Sequence, residues 1–287
     1  MVGIDADPSM IEIVKAAFPR EVESGRLFLL NLAVSDKDNE DAEFYLSENS
    51  RLNSLIRSAT SFGGAHNTGV LRVRTTTLPS LMRKYGLPYY CKIDVQGYES
   101  IVLQTLSELN DLPPFLSVES VSLCELAESG RATEEQALEI LEHLRKLGYP
   151  KFKLVDQVTL KVLEPDTKFY SLYKPSRLPG DLWLRRLHTL FRPKTGFYGA
   201  SGLGPVSRLR EIWRSNLHRR LLSLRLRYHF PFQSSGPFGD DLESEWLGYE
   251  KAKETILSHR REYFDMISSG GKFSSEGFWC DWHAKLE

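Results

Sequence analysis

Residues 89–99 read YYCKIDVQGYE, and the interpretation of the whole chain starts from this stretch. An apolar run ends in an acid at Asp94, and Gly97 follows shortly before residues 98–109 take up helical spacing. A short buried strand that leads through a turn into a helix is typical of a βα unit. Glycine in the turn allows the backbone to bend sharply or to approach a ligand. The stretch therefore predicts a strand whose end carries an acid suited to function.

The same pattern recurs elsewhere in the chain. Near the N-terminus VGID ends in Asp5, and Asp7 followed by Pro8 predicts the cap and the first residue of a helix. LFLLNLAV at residues 27–34 predicts a second buried strand, and FLSVES places Glu119 at the end of a further one. Strands and helices that alternate at this length imply an α/β fold with a mostly parallel sheet covered on both faces.

The clearest helix signal covers residues 133–149, where Thr133 and Gln136 form a capping box and Gly148 ends the helix. Composition changes after residue 173, where proline, glycine, arginine and aromatic residues become more frequent. Further strands are predicted at residues 42–47, 70–78, 152–157 and 169–173, an amphipathic helix at 206–228, and a last helix at 255–267 before the tail GFWCDWHA.

Composition excludes several classes of protein. The 287 residues are 41% hydrophobic and 26% charged, which excludes collagen-like, fully disordered and multi-span membrane chains. No apolar run approaches the roughly 18 residues of a membrane span, and the first ten residues do not read as a signal peptide. Cys91, Cys124 and Cys280 are too few and too scattered for a disulfide framework or a zinc site, so we assign no metal ligand. These features predict a cytoplasmic protein.

The formal net charge of -1 hides a basic block at residues 176–230, which holds twelve Lys and Arg but two acids. The arginines of the predicted 206–228 helix could hold a phosphate or sulfate, could lie on an anionic membrane surface, or could pair with the acidic body of the protein. Nucleic acid is disfavoured, because few aromatic residues interleave the arginines. The sequence gives no indication of oligomeric state.

Acids at strand ends are the candidate functional residues. In an open parallel α/β sheet, ligands bind beyond the carboxyl ends of the strands, where Asp5, Asp94 and Glu119 are expected. Such an acid can accept hydrogen bonds from the ribose hydroxyls of an adenosine cofactor, whereas the structural alternative is a solvated strand end or a helix cap. Asp5 and Asp94 together favour a cofactor site.

These residues also resemble those of a known family, the FkbM-type methyltransferases. The resemblance runs from residue 2 to about residue 173 and is most specific at KIDVQGYE, which is similar to the family's K-I-D-V-E-G-x-E. The other similar segments are GIDADP at 3–8, NLAVSDKDNEDAEFY at 31–45, NSL at 53–55, TTTLPSL at 75–81 and FLSVES at 115–120.

The resemblance implies a Rossmann-like methyltransferase sandwich of three layers that uses S-adenosylmethionine to methylate a hydroxyl on a sugar, a polyketide or a related small molecule. The acceptor attacks the methyl carbon in line, and Asp94 is the first candidate for its general base or for orienting the cofactor. His283, which Asp281 and Trp282 could orient, and His66 are further candidates for the base. The implied cofactor-binding residues are Asp5, Ala33, Asp94 and Gly97, and the implied substrate-binding residues are Asn53, Ser54 and Glu119.

The sequence departs from the family pattern in two ways. The chain begins at what should be the second strand, so the first βα unit and its glycine-rich turn are expected to be missing, which leaves a gap in the sheet and an incomplete cofactor site. Gln96 stands where the family usually has glutamate. GASGLG at residues 199–204 could cradle an anion before a helix or could be a flexible linker.

The sequence thus predicts an N-terminally incomplete methyltransferase domain at residues 1–173. A basic, mostly helical or irregular extension at 174–287 is expected to cover the cleft and define the acceptor. The alternative is a catalytically inactive remnant whose basic region binds an anionic partner or a membrane surface. A nicotinamide-dependent dehydrogenase is disfavoured, since no G-x-G-x-x-G follows a predicted strand.

Overall fold

A computed structural model describes residues 1–120, 133–157, 161–166, 237–242, 244–269 and 280–287. The described residues form a mixed α/β structure, as predicted. The expectation of a mostly parallel sheet was wrong for these residues, because three of their seven strand pairings are parallel and four are antiparallel. Three predictions lie outside the described residues, namely the strand at 169–173, the glycine-rich segment at 199–204 and the amphipathic helix at 206–228.

Strands and helices alternate along the described part of the chain. The strands are β1 (Val2–Asp5), β2 (Phe28–Asn31), β3 (Ala33–Val34), β4 (Asp41–Ser47), β5 (Asn67–Thr76), β6 (Tyr90–Ile93), β7 (Phe115–Glu119), β8 (Lys151–Asp156), β9 (Val162–Leu163) and β10 (Cys280–Lys285). The α-helices are α1 (Pro8–Ala17), α2 (Pro19–Glu23), α3 (Leu78–Tyr85), α4 (Glu99–Thr105), α5 (Glu134–Lys146) and α6 (Tyr249–Ser268).

The local helix signals are confirmed where they can be compared. Asp7 caps α1 by accepting a hydrogen bond from the backbone amide of Ser9, and Pro8 is the first helical residue. Thr133 and Gln136 form the predicted capping box at the start of α5. Caps depend on residues within one turn of each other, so the sequence is sufficient to place them.

The described strands form three sheets. A parallel pair contains β1 and β2, a five-stranded sheet has the order β6-β7-β10-β8-β9, and a three-stranded sheet has the order β3-β5-β4. The β1–β2 and β6–β7 pairs are parallel, with helices in the connections, as expected for βα units. Among the described strands, none lies between β1 and β6, although Ile4 of β1 and Cys91 of β6 pack against the same hydrophobic cluster.

Residues 27–34 were expected to form one strand, but the structure divides them at Leu32. The amide of Leu32 donates to the carbonyl of Asp5 at 3.2 Å, where β2 ends its pairing with β1. The chain then joins a different sheet, in which Ala33 pairs with Thr75 of β5. A continuous apolar run carries no signal for such a change of partner, so the expectation of one strand was wrong.

The tail was expected to belong to a lid over the cleft, but β10 is an internal strand. It pairs antiparallel with β7 on one side and with β8 on the other. Its residues alternate, because Cys280, Trp282 and Ala284 face the main hydrophobic cluster and Asp281 and His283 face the other side of the sheet. This part of the predicted extension therefore belongs to the sheet, and the boundary at residue 173 stays a prediction.

One face of the five-stranded sheet is apolar and holds the main core. Helices α3, α4, α5 and α6 pack on it, and their core residues join those of the strands in one cluster. Trp282 is completely buried there and has the largest fully buried side chain among the described residues. Burial of a side chain of this size stabilises the fold by about 3 kcal/mol relative to leaving it in water.

The opposite face of the same sheet is polar. A row of polar residues that are register partners crosses this face from β6 through β7 and β10 to β8. The row consists of Lys92, Ser117, His283 and Lys153. Both faces of a sheet with parallel strands are usually apolar, so a buried polar row is unusual. Residues 237–242 and 244–247 cover one end of this face, where the ring of Phe238 stacks on Tyr90 at 3.9 Å and Lys153 donates to the carbonyl of Leu242 at 2.8 Å.

No helix in the described part of the chain has both the length and the apolar composition needed to span a membrane.

Candidate active site

The turn after β1 is fixed by hydrogen bonds around Asp5. Its Oδ1 accepts from the amide of Asp7 at 2.8 Å. The side chain of Asn31, at the end of β2, donates to the carbonyls of Asp5 and Ala6 at 3.0 and 2.9 Å. These bonds leave Oδ2 of Asp5 without a hydrogen bond among the described residues. One carboxylate oxygen is therefore held in place and the other is available to a ligand.

Asp5 and Asp94 lie at the same end of the molecule. Burial raises the pKa of Asp5, the bond from the Asp7 amide opposes this change, and the negative charges of Asp7 and Asp94 raise the pKa further. The effect of Asp94 is the smallest of these, and it requires the two carboxyl groups to lie within about 10 Å, the distance over which exposed charges are not screened. The two acids that the sequence selected at separate strand ends therefore lie in one neighbourhood, although β1 and β6 belong to different sheets.

The turn between β6 and α4 has an uncommon backbone conformation. Gln96 and Gly97 both have positive φ angles, 52° and 95°. Glycine at Gly97 satisfies the second of these without strain, whereas Gln96 needs support from its surroundings. Ser54 gives that support by donating its hydroxyl proton to the carbonyl of Gln96 at 2.7 Å.

Glu99 closes this turn, a role that the sequence did not predict. Its carboxylate accepts from the amides of Val95 at 2.9 Å and Gly97 at 2.8 Å. Burial raises the pKa of Glu99 to about 7, while the backbone hydrogen bonds lower it and the charge of Asp94 raises it. Acids are so common in the first turn of a helix that the position of Glu99 alone did not indicate its role in the turn. Glu99, the last residue of the motif KIDVQGYE, therefore has a structural role, because it holds the backbone of the turn.

Gln96 joins the carboxyl groups at the ends of β6 and β7. Its Nε2 donates to Oδ1 of Asp94 at 2.7 Å and to Oε2 of Glu119 at 2.9 Å. Burial raises the pKa of Glu119 well above its ordinary value, and the charge of Asp94 and a hydrogen bond to that residue raise it further. Glu119 is consequently the member of the pair that favours the neutral form.

Lys92 supplies the positive charge beside these acids. Its Nζ forms an ion pair with the fully buried Asp281 and lies 3.7 Å from Oδ2 of Asp94. Burial lowers the pKa of Lys92, but the charges of Asp281 and Asp94 outweigh it, and the pKa is raised. Burial raises the pKa of Asp281 to about 6 despite the opposing effect of Lys92. The sequence indicated only that Asp281 could orient His283, and it gave no sign of the ion pair with Lys92.

His283 is placed inside the sheet. It is buried between Ser117 and Lys153 in the strand register, and its Nε2 has no hydrogen-bond partner among the described residues. Burial lowers the pKa of His283 to about 3, and the positive charges of Lys92 and Lys153 lower it as well. Its imidazole is therefore neutral at physiological pH. His66, the other candidate, is exposed in the segment before β5.

Asn53, Ser54 and Ala33 hold neighbouring elements together. Asn53 accepts from the amide of Ser47 at 2.8 Å and donates to Oδ2 of Asp7 at 3.2 Å, so this loop is tied to the α1 cap. Ala33 is buried in a second small core. These contacts place the three residues beside the candidate site, and their predicted roles in binding stay predictions.

Asp94, Glu99 and Glu119 each offer an oxygen atom within 4.8 Å of the others. Three negative carboxylates this close would repel one another. Donors from the protein relieve the repulsion, since Gln96 bridges two of the acids and two backbone amides hold the third. The arrangement is accounted for without a cation, and we assign no metal ligand here.

A comparison with known families gives one match. The family model described as "Methyltransferase FkbM domain" matches residues 3–150, about half of the chain. The match includes Asp5, the 92–99 turn and Glu119, and it ends before β10. No curated protein and no solved structure matches the chain.

Proposed function

The chain belongs to the FkbM methyltransferase domain family, and on that premise we propose that it transfers a methyl group from S-adenosylmethionine to a hydroxyl oxygen of a small molecule. The observation that carries the proposal is that Asp94, directly after β6, lies near enough to Asp5 at the end of β1 for its charge to act on the Asp5 carboxyl group. Family membership supports a methyltransferase, and the chemistry of the acids supports the finer assignment.

The residues around Asp5 fit this cofactor. Oδ2 of Asp5 is available to accept hydrogen bonds from ribose hydroxyls, while Oδ1 is fixed by the Asp7 amide. Asp94, whose side chain is 37% exposed, adds negative charge at the same end, which favours a cationic sulfonium. When bound there, the cofactor would supply a methyl group on a sulfonium, which would be released as a neutral thioether after transfer to the acceptor oxygen.

We assign the acceptance of the hydroxyl proton to Asp94. The side chain of Asp94 is 37% exposed, accepts a hydrogen bond from Nε2 of Gln96 at 2.7 Å and lies 3.7 Å from Nζ of Lys92, so its position is fixed and a ligand can reach it. Burial raises the pKa of the neighbouring Glu119 well above its ordinary value. His283 is completely buried and has a pKa of about 3, so it is poorly suited to exchange protons with an acceptor.

Calorimetric titration of the full chain with S-adenosylhomocysteine tests the proposal. We expect saturable binding that weakens about 10- to 100-fold in Asp5→Ala, because a charge-assisted hydrogen bond to the ribose is lost. Asp111→Ala, an exposed acid outside the site, is the matched control and should bind like the parent chain. Absence of binding at millimolar ligand would support the alternative of an inactive remnant.

Transfer itself is tested separately. The chain is incubated with methyl-labelled S-adenosylmethionine and a panel of hydroxylated acceptors, and labelled product is counted. We expect Asp94→Asn to reduce turnover about 100-fold or more, in the range typical of a lost general base, while S-adenosylhomocysteine binding changes less. Equal turnover of Asp94→Asn and the parent chain would assign the proton acceptor to another group.

A further inference from the structure

A groove of about 410 Å³ opens beside the 92–99 turn. Its floor and rim come from β4, the loop after β3 and the turn itself, which contributes Tyr98. Leu55 completes one wall and directly follows Ser54, the residue whose hydroxyl holds the carbonyl of Gln96. The volume lies within the range of about 300–1,000 Å³ that is typical of small-molecule sites. The groove is therefore a neighbour of the candidate active site and is large enough for a ligand.

The walls combine aromatic rings with carboxylates. Tyr45 and Tyr98 both line the groove, and each places its hydroxyl on a carboxylate. Tyr45 donates to Glu43 at 2.7 Å, and Tyr98 donates to Asp36 at 3.4 Å. An ionised carboxylate has about four acceptor positions, so both acids keep the capacity to accept further hydrogen bonds.

The groove is negative overall. Four acids and one lysine line it, and two of the acids have basic partners. Lys37 lies 3.5 Å from Glu40, and Arg74 lies 3.5 Å from Asp41. Asp36 and Glu43 each accept a tyrosine hydrogen bond and form no ion pair among the described residues, although Arg72 lies opposite Glu43 in the register of β4 and β5. Two carboxylates without an ion pair thus line the groove together with two tyrosines.

We propose that this groove holds the acceptor and selects a hydroxylated molecule that carries a protonated amine, such as an amino sugar. The inference rests on the proposed methyl transfer. An ammonium group is attracted both by carboxylates and by the faces of tyrosine rings, and a sugar ring offers apolar C–H faces to such rings as well as hydroxyls to the acids. A neutral polyol can make the contacts of the C–H faces and the hydroxyls, but it lacks the attraction of an ammonium group.

Binding of matched monosaccharides tests this selection. N-acetylglucosamine differs from glucosamine by an acetyl group that removes the positive charge of the nitrogen, and glucose replaces the same nitrogen by a hydroxyl without adding bulk. Glucosamine, N-acetylglucosamine and glucose are each titrated into the full chain at pH 7 with ligand-observed NMR, and glucose shows whether a difference comes from the charge or from the acetyl group. We expect glucosamine to bind about 3- to 10-fold more tightly, which is the size of an exposed ion pair combined with a cation–π contact. Equal affinity for glucosamine and glucose would overturn the inference.

Variants locate the effect. Asp36→Asn combined with Glu43→Gln should reduce glucosamine binding to the level of N-acetylglucosamine, whereas the exposed Glu23→Gln should change neither. An unchanged preference in the double variant would place the amine elsewhere and would overturn the inference.

The outcome is distinguishable from that of the cofactor experiment. Saturable S-adenosylhomocysteine binding without any preference for glucosamine would support the methyltransferase proposal. The same result would contradict the groove as the site of an amine-bearing acceptor. A glucosamine preference in a chain that does not bind S-adenosylhomocysteine would contradict the groove's role as an acceptor site. Preferential methylation of glucosamine by the parent chain, lost in the double variant, is the result that supports both.

Discussion

Lys92 forms an ion pair with Asp281, which lies 189 residues further along the chain. Lys92 begins the KIDVQGYE turn, and Asp281 lies in the strand β10 that inserts between β7 and β8. The candidate active site is consequently joined to the last elements of the chain through one buried charge pair. The tail supports the site from within the sheet.

Removal of one partner of this pair should destabilise the fold strongly. Asp281→Asn leaves the ammonium of Lys92 with Asp94 as its remaining partner, and breaking a buried pair costs about 3–5 kcal/mol. Urea unfolding followed by circular dichroism measures the change. Asp240→Asn, which removes an exposed partner of Lys285, is the control and should have little effect. Similar midpoints for the two variants would contradict the buried pair.

Glu99 should make stability depend on pH. Its pKa is about 7 in the folded chain and about 4.5 as an ordinary value, so between these values the folded state binds more protons than the unfolded state. The free energy of unfolding therefore falls as pH rises through this window, by roughly 3 kcal/mol from this group alone.

The buried histidines change the free energy of unfolding in the opposite direction as pH rises. The prediction therefore concerns the difference in this free energy between the parent chain and Glu99→Gln. The pKa of His259 is lowered to about 4 and that of His283 to about 3, and both therefore favour folding as pH rises towards 6.5. Subtracting the profile of Glu99→Gln from that of the parent chain removes these contributions. Urea unfolding between pH 4.5 and 7.5 should give a difference that shrinks as pH rises, and a constant difference would contradict a raised pKa.

Gln96 should act through its two hydrogen bonds to carboxyl groups. Gln96→Met keeps the length of the side chain but removes the hydrogen-bond donor. We therefore expect the free energy of unfolding to fall by about 1–3 kcal/mol and the hydrogen-bonded bridge between Asp94 and Glu119 to be lost. Gln96→Glu introduces the residue usual in the family and adds a fourth carboxyl group to those of Asp94, Glu99 and Glu119. This variant should be less stable at pH 8 than at pH 5, because protonation at the lower pH relieves repulsion. Thermal unfolding at both pH values measures the effect.

Trp282 tests the position of β10. Because its side chain is fully buried in the main core, Trp282→Ala should lower the free energy of unfolding by about 3–5 kcal/mol. Trp282→Phe retains an aromatic ring and also removes an indole N–H that has no partner among the described residues, so its cost should be clearly smaller. If this segment were instead a lid outside the core, alanine would alter activity and leave the unfolding midpoint in place.

Much of the site could be predicted because its residues interact within a few positions of one another. Asp7 caps the helix that follows it, and Gly97 has the positive φ angle that glycine tolerates. Asp5 and Asp94 could be chosen because Asp5 ends β1, Asp94 directly follows β6, and a turn follows each of them. Parallel strands bring their ends to one edge, so these two local signals predicted that the acids lie near each other, and the shared cofactor site stays a prediction.

Other features could not be predicted, since they depend on partners far away in the sequence. Leu32 ends one sheet pairing inside a run that looks uniform, and the six residues of β10 show simple alternation that gives no indication of the strands they join. The donors to Glu99 and the two carboxyl contacts of Gln96 likewise require the folded turn.

By itself, the sequence determined the α/β class, the family and the acids at or directly after the ends of β1, β6 and β7. Caps, turns and the alternation of apolar residues are set by neighbours along the chain, and the sequence records them directly. Only the tertiary structure decided that the tail lies inside the sheet, that Lys92 meets Asp281 and that two tyrosines and two acids line one groove. Those relationships arise when segments distant in the chain pack together to bury apolar surface, and no local pattern specifies them.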